Sequence, residues 1–366
     1  MLWREDARSR PTWVEGTWEV RDGRIDRLQG RSVPAGTDHT GWMVPGMVDV
    51  HCHIGVGAEG PAGTARQVQQ ARADRDSGVL ALRDCGAPVD NSWMKGRRDM
   101  PVLIRAGRHV ARPGRYIRGM AVELEDPGEL PQELVRQAHG SDGWVKIVAD
   151  WIDRSRGAEA DLDPLWPPEV LVDAVAAAHG AGARVAAHCF SHTAVDALLE
   201  AGVDDIEHGC GMDEDQVAEA VRRGVHVTPT LLQVELFEGF ARQGARRYPR
   251  YARTMADMYA RRREHAEMLL ASEVHLLPGT DAGGYQDHGS LTRELALWHR
   301  CGMEPTRVVD LATWQAREAM GLDSLYPGAP ADLVVLEGDP REDLCHLDHA
   351  RAVLLRGEVV AGSARS

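Results

Sequence analysis

The chain has 366 residues, 43% of them hydrophobic, with 42 basic against 56 acidic side chains and a formal net charge of −14; it is long enough for one large domain plus a small one. That balance offers no basic patch of the kind nucleic-acid binders need, and no run of 18 apolar residues offers a membrane span. The first residues, Met1 to Asp6, lack the basic-then-apolar pattern of a signal peptide, and the six cysteines (52, 85, 189, 210, 301, 345) form no close CxxC pair, so a reduced, cytoplasmic protein is expected.

Residues 13–28 read as hairpin strands around the turn Asp22-Gly23. The apolar run 43–51 is the first of eight segments read as strands. The others are 78–83, 101–105, 144–148, 184–188, 203–208, 225–230 and 274–281. Between most of them lie amphipathic stretches, such as 169–180 and 213–223, each ending near a glycine that suits a helix C-cap. Pro167-Pro168 stands where proline is permitted, at a helix start.

Eight strands alternating with helices over about 250 residues predict an α/β fold of the (β/α)8, TIM-like barrel type. An open doubly wound sheet is the alternative, but no Gly-rich phosphate loop follows the first strand. The runs 331–336 and 352–360 repeat the style of the N-terminal hairpin. The expected organisation is therefore a small β-sandwich domain composed of 1–42 plus 326–366, flanking a barrel over 43–325.

Chemistry-bearing residues collect at strand ends. His51 and His53 are two apart, so on a strand both imidazoles share one face about 6–7 Å apart at Cα. His188 ends the fifth strand, His208 the sixth and Asp281 the eighth. In such a barrel the active site lies at the C-terminal ends of the strands, so five metal-compatible side chains share one rim. Cys52 and Cys189 neighbour these positions, but alternation points them away. Other histidines fall elsewhere: His226 and His275 lie inside strands, and His179, His265 and His299 in helical segments, all read as scaffold or surface. His192 and His288, in the loops just past strands five and eight, are candidates for facing a ligand. The chain has 40 arginines but only two lysines, Lys95 and Lys146. Arginine replaces lysine wherever charge alone is needed but not where a nucleophilic amine is required, so Lys146, within the fourth strand, joins the candidates.

Five motifs then match a family: Pro45-Gly46-Met47-Val48-Asp49-Val50-His51-Cys52-His53, Val185-Ala186-Ala187-His188, Ala201 to Gly209 with Ile206-Glu207-His208, Pro278-Gly279-Thr280-Asp281-Ala282-Gly283, and Tyr326 to Leu336. From about residue 15 to the end the chain resembles the amidohydrolase superfamily, in the branch of imidazolonepropionase-like hydrolases and prolidase-type (Xaa-Pro) dipeptidases. The resemblance implies that His51 and His53 hold one divalent metal with Asp281. His188 and His208 would hold a second ion or, in one-metal members, supply one ligand and a substrate contact. Lys146 matches the lysine that is N-carboxylated in two-metal members, where its carbamate bridges both ions. Zinc is the default, with Mn, Co or Fe compatible with the same ligands.

The activity so implied is hydrolysis of a C–N bond in an amide, lactam or dipeptide by a metal-activated hydroxide, with Asp281 as general base and then acid, and His208 beside it in the catalytic set. A dipeptidase is the narrower alternative. Ring deamination is disfavoured because deaminases of this superfamily carry Glu three residues after the strand-five histidine, where this chain has Ser191; a non-catalytic scaffold is disfavoured because all six ligand positions are kept. Substrate contacts are sought in the loops after strands three, five and eight, at Tyr116, Arg118, His192, Tyr285 and His288. Arg112, Arg115 and Gln286 lie in the same loops, and an arginine there pairs well with a carboxylate. The partner expected is a small molecule, without nucleic acid or membrane, and with homo-oligomer formation left open.

Overall fold

The computed structural model describes residues 1–28 and 38–362; the parts of the expected small domain at 29–37 and 363–366 lie outside the described residues. All eight expected strands are present, and they run parallel. Met47–Cys52, Val79–Asp84 and Val102–Arg105 form one parallel group. Trp144–Val148, Arg184–Cys189, Asp205–His208, His226–Thr228 and His275–Leu276 lie side by side in a seven-stranded parallel sheet. Two short strands missed in the sequence, Val110–Ala111 and Val122–Glu123, complete it. The first two strands are buried along their whole length, as parallel strands covered on both faces should be. Main-chain bonds also join the first strand to the segment after the last: Val50 donates to Pro278 O (2.9 Å), Asp281 to His51 O (2.7 Å) and His53 to Ala282 O (2.8 Å).

Two expectations are corrected by packing. The run 43–51 is two strands: Trp42–Pro45 pairs antiparallel with Leu333–Leu336, and the parallel strand begins at Met47. The break falls at Gly46, where a Cβ would lie 2.5 Å from the Leu80 side chain; only glycine lets the chain pass between the two sheets there. The run 274–281 is strand only at His275–Leu276, because its remainder leaves the ladder to carry Asp281 inward.

Local signals behave as their chemistry requires. Asp213 caps the helix Glu214–Arg223 through a capping box with Gln216, and Gly224 closes it at φ 69°. Asp22-Gly23 turns the hairpin Trp18–Arg21/Arg24–Arg27 with positive φ at both residues (52° and 79°), the type I′ pattern. This hairpin pairs with Ala329–Pro330, while Trp42–Pro45, Leu333–Leu336, Ala350–Leu355 and Glu358–Gly362 form a second antiparallel sheet. Met1, Trp3, Ile25, Leu333, Val335 and Leu354 share a buried cluster there; burying each such side chain contributes about 1.5–3 kcal/mol. Beyond the strand ends, the hairpin Asp150–Ile152/Leu162–Pro164 and the helices Phe237–Gly244 and Pro249–Ala271 wall a cavity. Among the described residues no helix is long and apolar enough to cross a membrane.

Candidate active site

The strand ends bring six of the expected residues together. His51 and His208 have ring centroids 4.9 Å apart, His51 and His53 5.3 Å, and His188 and His208 4.6 Å. Asp281 Oδ1 stands 3.3 Å from His51 Nε2 and 3.1 Å from His53 Nε2. Lys146 is fully buried and forms an ion pair with Glu207.

Holding these groups requires unusual backbone. Five non-glycine residues among those described have positive φ. Asp22 and Arg356 sit in hairpin turns; the other three, His208 (68°), Thr230 (45°) and Asp281 (58°), are at this site. Each such residue costs about 1–3 kcal/mol, and buried polar groups offset that. Asp49 joins the His51 strand to Asp281: its Oδ1 accepts from His51 N (3.0 Å) and Thr280 N (3.2 Å), and its Oδ2 from Thr280 Oγ1 (2.6 Å). Burial, with the charge of Asp74 added, pushes Asp49 up to about 7. Glu294 accepts from Leu231 N (2.7 Å), Leu232 N (2.8 Å) and Trp298 Nε1 (2.8 Å), fixing the turn that presents Thr230. Asp84 accepts from Ile54 N (2.7 Å) and Gly86 N (2.9 Å) and so holds the chain beyond His53.

Protonation follows from these contacts. The carbonyl of Gly86 accepts from His53 Nδ1 (2.8 Å). In the neutral ring this leaves His53 Nε2 with a bare lone pair facing Asp281 Oδ1. Burial holds His51, His188 and His208 well below 6.5, so these rings are neutral. Burial pushes Asp281 up, but the polar and charged groups around it, Lys146 among them, prevail and hold it below 3.8. The lone pair of His53 Nε2 thus faces the carboxylate of Asp281, with His51 Nε2 3.3 Å from the same oxygen, while His188 Nδ1 and His208 Nε2 share a hydrogen bond at 2.9 Å. His51 Nδ1 and His188 Nε2 are buried and without a hydrogen bond. Buried acceptors do not stay unpaired at low cost, and a cation between them satisfies all. The ligand atoms of His51, His53 and Asp281 lie within 4.8 Å of one another, and so do those of His51, Cys85 and Glu207. The donor set fits a divalent ion.

The cavity above this cluster holds about 850 Å3, and His53, His188 and Asp281 form its floor. Three of the residues sought as substrate contacts, Tyr116, Arg118 and Tyr285, line it. Burial pushes the Tyr116 hydroxyl far above 10, so it stays a donor. Two expected contacts do not reach this cavity. His288 Nδ1 pairs with Asp74 Oδ2 at 2.7 Å, turned towards the helix Thr64–Asp76. His192 is half-exposed, 3.7 Å from Asp213, and lines a separate surface hollow. Of the arginines, Arg112 donates to Leu124 O and Arg115 to Trp151 O and Asp163 O, so both hold loops in place.

Sequence reasoning missed a buried layer beneath the site. Arg83 donates to Val50 O (2.7 Å), pairs with Asp205, and lies 3.3 Å from Glu207 Oε1. His109 was missed too: it is fully buried, stacked 5.1 Å from His53, with neither ring nitrogen hydrogen-bonded. The signal for Arg83 and Glu207 was present as charges inside otherwise apolar strands, which are tolerated only when paired. His109 left no comparable signal.

The family model of the amidohydrolase family matches residues 42–360. Uncharacterized proteins of Mycobacterium bovis and Mycobacterium tuberculosis are 44% identical over 343 residues, covering 93% of this chain and 90% of theirs. Among solved structures, a prolidase complexed with N-methylphosphonate-L-proline is similar at TM-score 0.80 and 21% identity, covering 98% of each chain. A Xaa-Pro dipeptidase with bound methionine follows at TM-score 0.78 and 22% identity (93% and 94%). The ochratoxinase of A. niger gives 0.75 and 20% (93% and 90%). At these identities the structures speak for the fold.

Proposed function

We propose, from the premise that the chain belongs to the amidohydrolase family, that it is a metal-dependent hydrolase cleaving the C–N bond of an amide, lactam or dipeptide. The observation that carries this reading is the meeting of His51 Nε2 and His53 Nε2 at Asp281 Oδ1, 3.3 and 3.1 Å away, with the His53 Nδ1 hydrogen held by Gly86 O. His51, His53 and Asp281 would hold one divalent ion, zinc by default, and His188, His208 and Lys146 a second. The same reading takes the parallel array as an eight-stranded barrel, supported by the bonds between the first strand and residues 278–282. It takes the two antiparallel sheets as the small sandwich from both termini, with the junction at Gly46.

When bound, a divalent ion would lower the pKa of water to about 7 and polarise the scissile carbonyl. The protein's own groups handle the protons. Asp281, ionised and with an 18% exposed side chain opening on the cavity, accepts the proton of the attacking water at its second carboxylate oxygen and returns it to the leaving nitrogen. Tyr116, kept protonated, has a hydroxyl to donate to the substrate carbonyl. Burial lowers Lys146 to about 8, so a usable share of its amine is neutral. A neutral amine adds to carbon dioxide, releasing one proton and leaving a carbamate, an anion that suits a position between two cations.

The test is to purify the protein, measure bound metal, and load it with Zn, Mn, Co or Fe with bicarbonate present. The loaded protein is then assayed on Xaa-Pro and other dipeptides, N-acyl amino acids and imidazolone-type lactams. Turnover that disappears on chelation and returns with metal is expected. No affinity for zinc, or activity confined to ring amines with ammonia release, overturns the reading.

A further inference from the structure

The cavity has two properties that the hydrolase reading does not require. The first is its aromatic content. Aromatic residues make up 5% of the chain, with six tyrosines and three phenylalanines. Four of those tyrosines (116, 248, 251, 285) and two of the phenylalanines (190, 240) line this one cavity, with Trp151. The rings pack edge to face: Tyr116 on Trp151 at 4.8 Å and Phe240 on Tyr285 at 5.4 Å. Tyr285 is nonetheless 63% exposed at the mouth. A large aromatic side chain left in water is a cost unless something covers it. At about 850 Å3 the space lies near the top of the ~300–1,000 Å3 range of small-molecule sites.

The second property is unpaired positive charge. The chain carries an excess of acid, and the arginines around this cavity are mostly engaged. Arg115 lies 3.7 Å from Asp153, Arg156 pairs with Asp163 at 2.8 Å, and Arg250 with Asp161 at 3.1 Å. Arg118 and Arg154 differ. Both line the cavity, and among the described residues neither makes an ion pair or hydrogen bond or stacks on a ring. Two free guanidiniums beside an aromatic wall form a receptor for an anion with a planar apolar body: a fork for the carboxylate and a slot for the rings.

We propose that the substrate is an amide bearing a carboxylate and a large aromatic group, with Arg118 and Arg154 holding the carboxylate and the rings around Phe240, Tyr251 and Tyr285 holding the aromatic group. This rests on the hydrolase reading above and narrows it. Small, uncharged amides would use neither feature.

The test uses the zinc-loaded protein and three probes: N-(2-naphthoyl)-L-phenylalanine, its primary carboxamide, and N-acetylglycine. Hydrolysis and binding, the latter by quenching of tryptophan fluorescence, are read separately. The naphthoyl acid is expected to be favoured over its carboxamide by about 10–100-fold, the worth of charge-assisted hydrogen bonds, and over N-acetylglycine by about 10–100-fold, the worth of burying the aromatic group. Arg118→Gln with Arg154→Gln should bring the acid-to-carboxamide ratio towards one. Tyr285→Ala should bring the naphthoyl-to-acetyl ratio towards one. All three positions are exposed, so melting curves should match wild type. Hydrolysis without preference, variants that lower all probes equally, or no binding of the acid overturns the substrate class. Selective binding of the acid without cleavage under any metal loading supports the substrate class and overturns the hydrolase reading.

Discussion

Replacing Thr230 by valine isolates the contact that orients His208. Valine keeps the shape and β-branching of threonine at φ 45°, so what is lost is the Oγ1 partner of His208 Nδ1 at 2.7 Å. Thr230 is 0% and His208 1% exposed, so water does not take its place, and stranding the ring nitrogen costs about 1–3 kcal/mol. A metal-ligating histidine deprived of its outer hydrogen bond loses about 10–100-fold in metal affinity. At about 1.4 kcal/mol per tenfold that is about 1.4–2.8 kcal/mol, the same range reached independently. Zinc affinity measured by chelator competition should weaken by about 10–100-fold in Thr230→Val, with the metal-free circular dichroism spectrum unchanged, while Thr230→Ser keeps most of the affinity. Wild-type zinc affinity in Thr230→Val would refute the claim that this bond sets the ring.

Other outcomes follow from the same contacts. Asp281→Asn removes the anion facing His51 and His53 and the only proton acceptor assigned, so kcat should fall by about 10²–10⁴-fold; stopped assays across metal loadings check this, and near-normal turnover would remove Asp281 from its role. Reconstituting the metal-free protein with zinc under carbon dioxide-depleted buffer should yield less activity than with bicarbonate if Lys146 is carboxylated, and intact-site mass spectrometry or a carbonyl isotope signal should track the difference. At His288, burial acts to lower the pKa, but the charge and hydrogen bond of Asp74 prevail and raise it above 6.5. A histidine raised on folding contributes its stability in full below about pH 6.5 and loses it as pH climbs through the folded value. The melting-temperature advantage of wild type over His288→Gln should therefore shrink from about pH 6 to about pH 9; a constant gap contradicts the pairing.

Much of the architecture was legible because it rests on short-range rules. Apolar runs of strand length, glycines after helices and the Asp22-Gly23 turn report local preference, and the structure has strands, caps and a hairpin where they stand. Strand alternation placed His51 and His53 on one face, and strand ends placed His188, His208 and Asp281 on one rim. The loops were a different matter. His288 follows Asp281 by seven residues yet turns away, because its partner Asp74 is 214 residues distant in sequence. His192 sits at the first turn of the helix His192–Ala201 and is drawn to Asp213 instead of the cavity. Nothing local separates Arg115, which braces Trp151 and Asp163, from Arg118, which is free.

The sequence by itself determined which residues have the chemistry and on which rim they stand, since periodicity and strand ends are properties of the nearest few residues. Only the tertiary structure decided how that chemistry is tuned. Gly46 divides one apolar run between two sheets because Leu80 leaves no room for a Cβ. His53 keeps its Nε2 lone pair because the carbonyl of Gly86, 33 residues on, accepts from Nδ1 and holds the ring's one hydrogen there. Lys146 is lowered to about 8 because the strands around it exclude water. Burial and hydrogen-bond partnership are set by residues remote in the chain, and they govern protonation, so protonation is what the sequence alone does not carry.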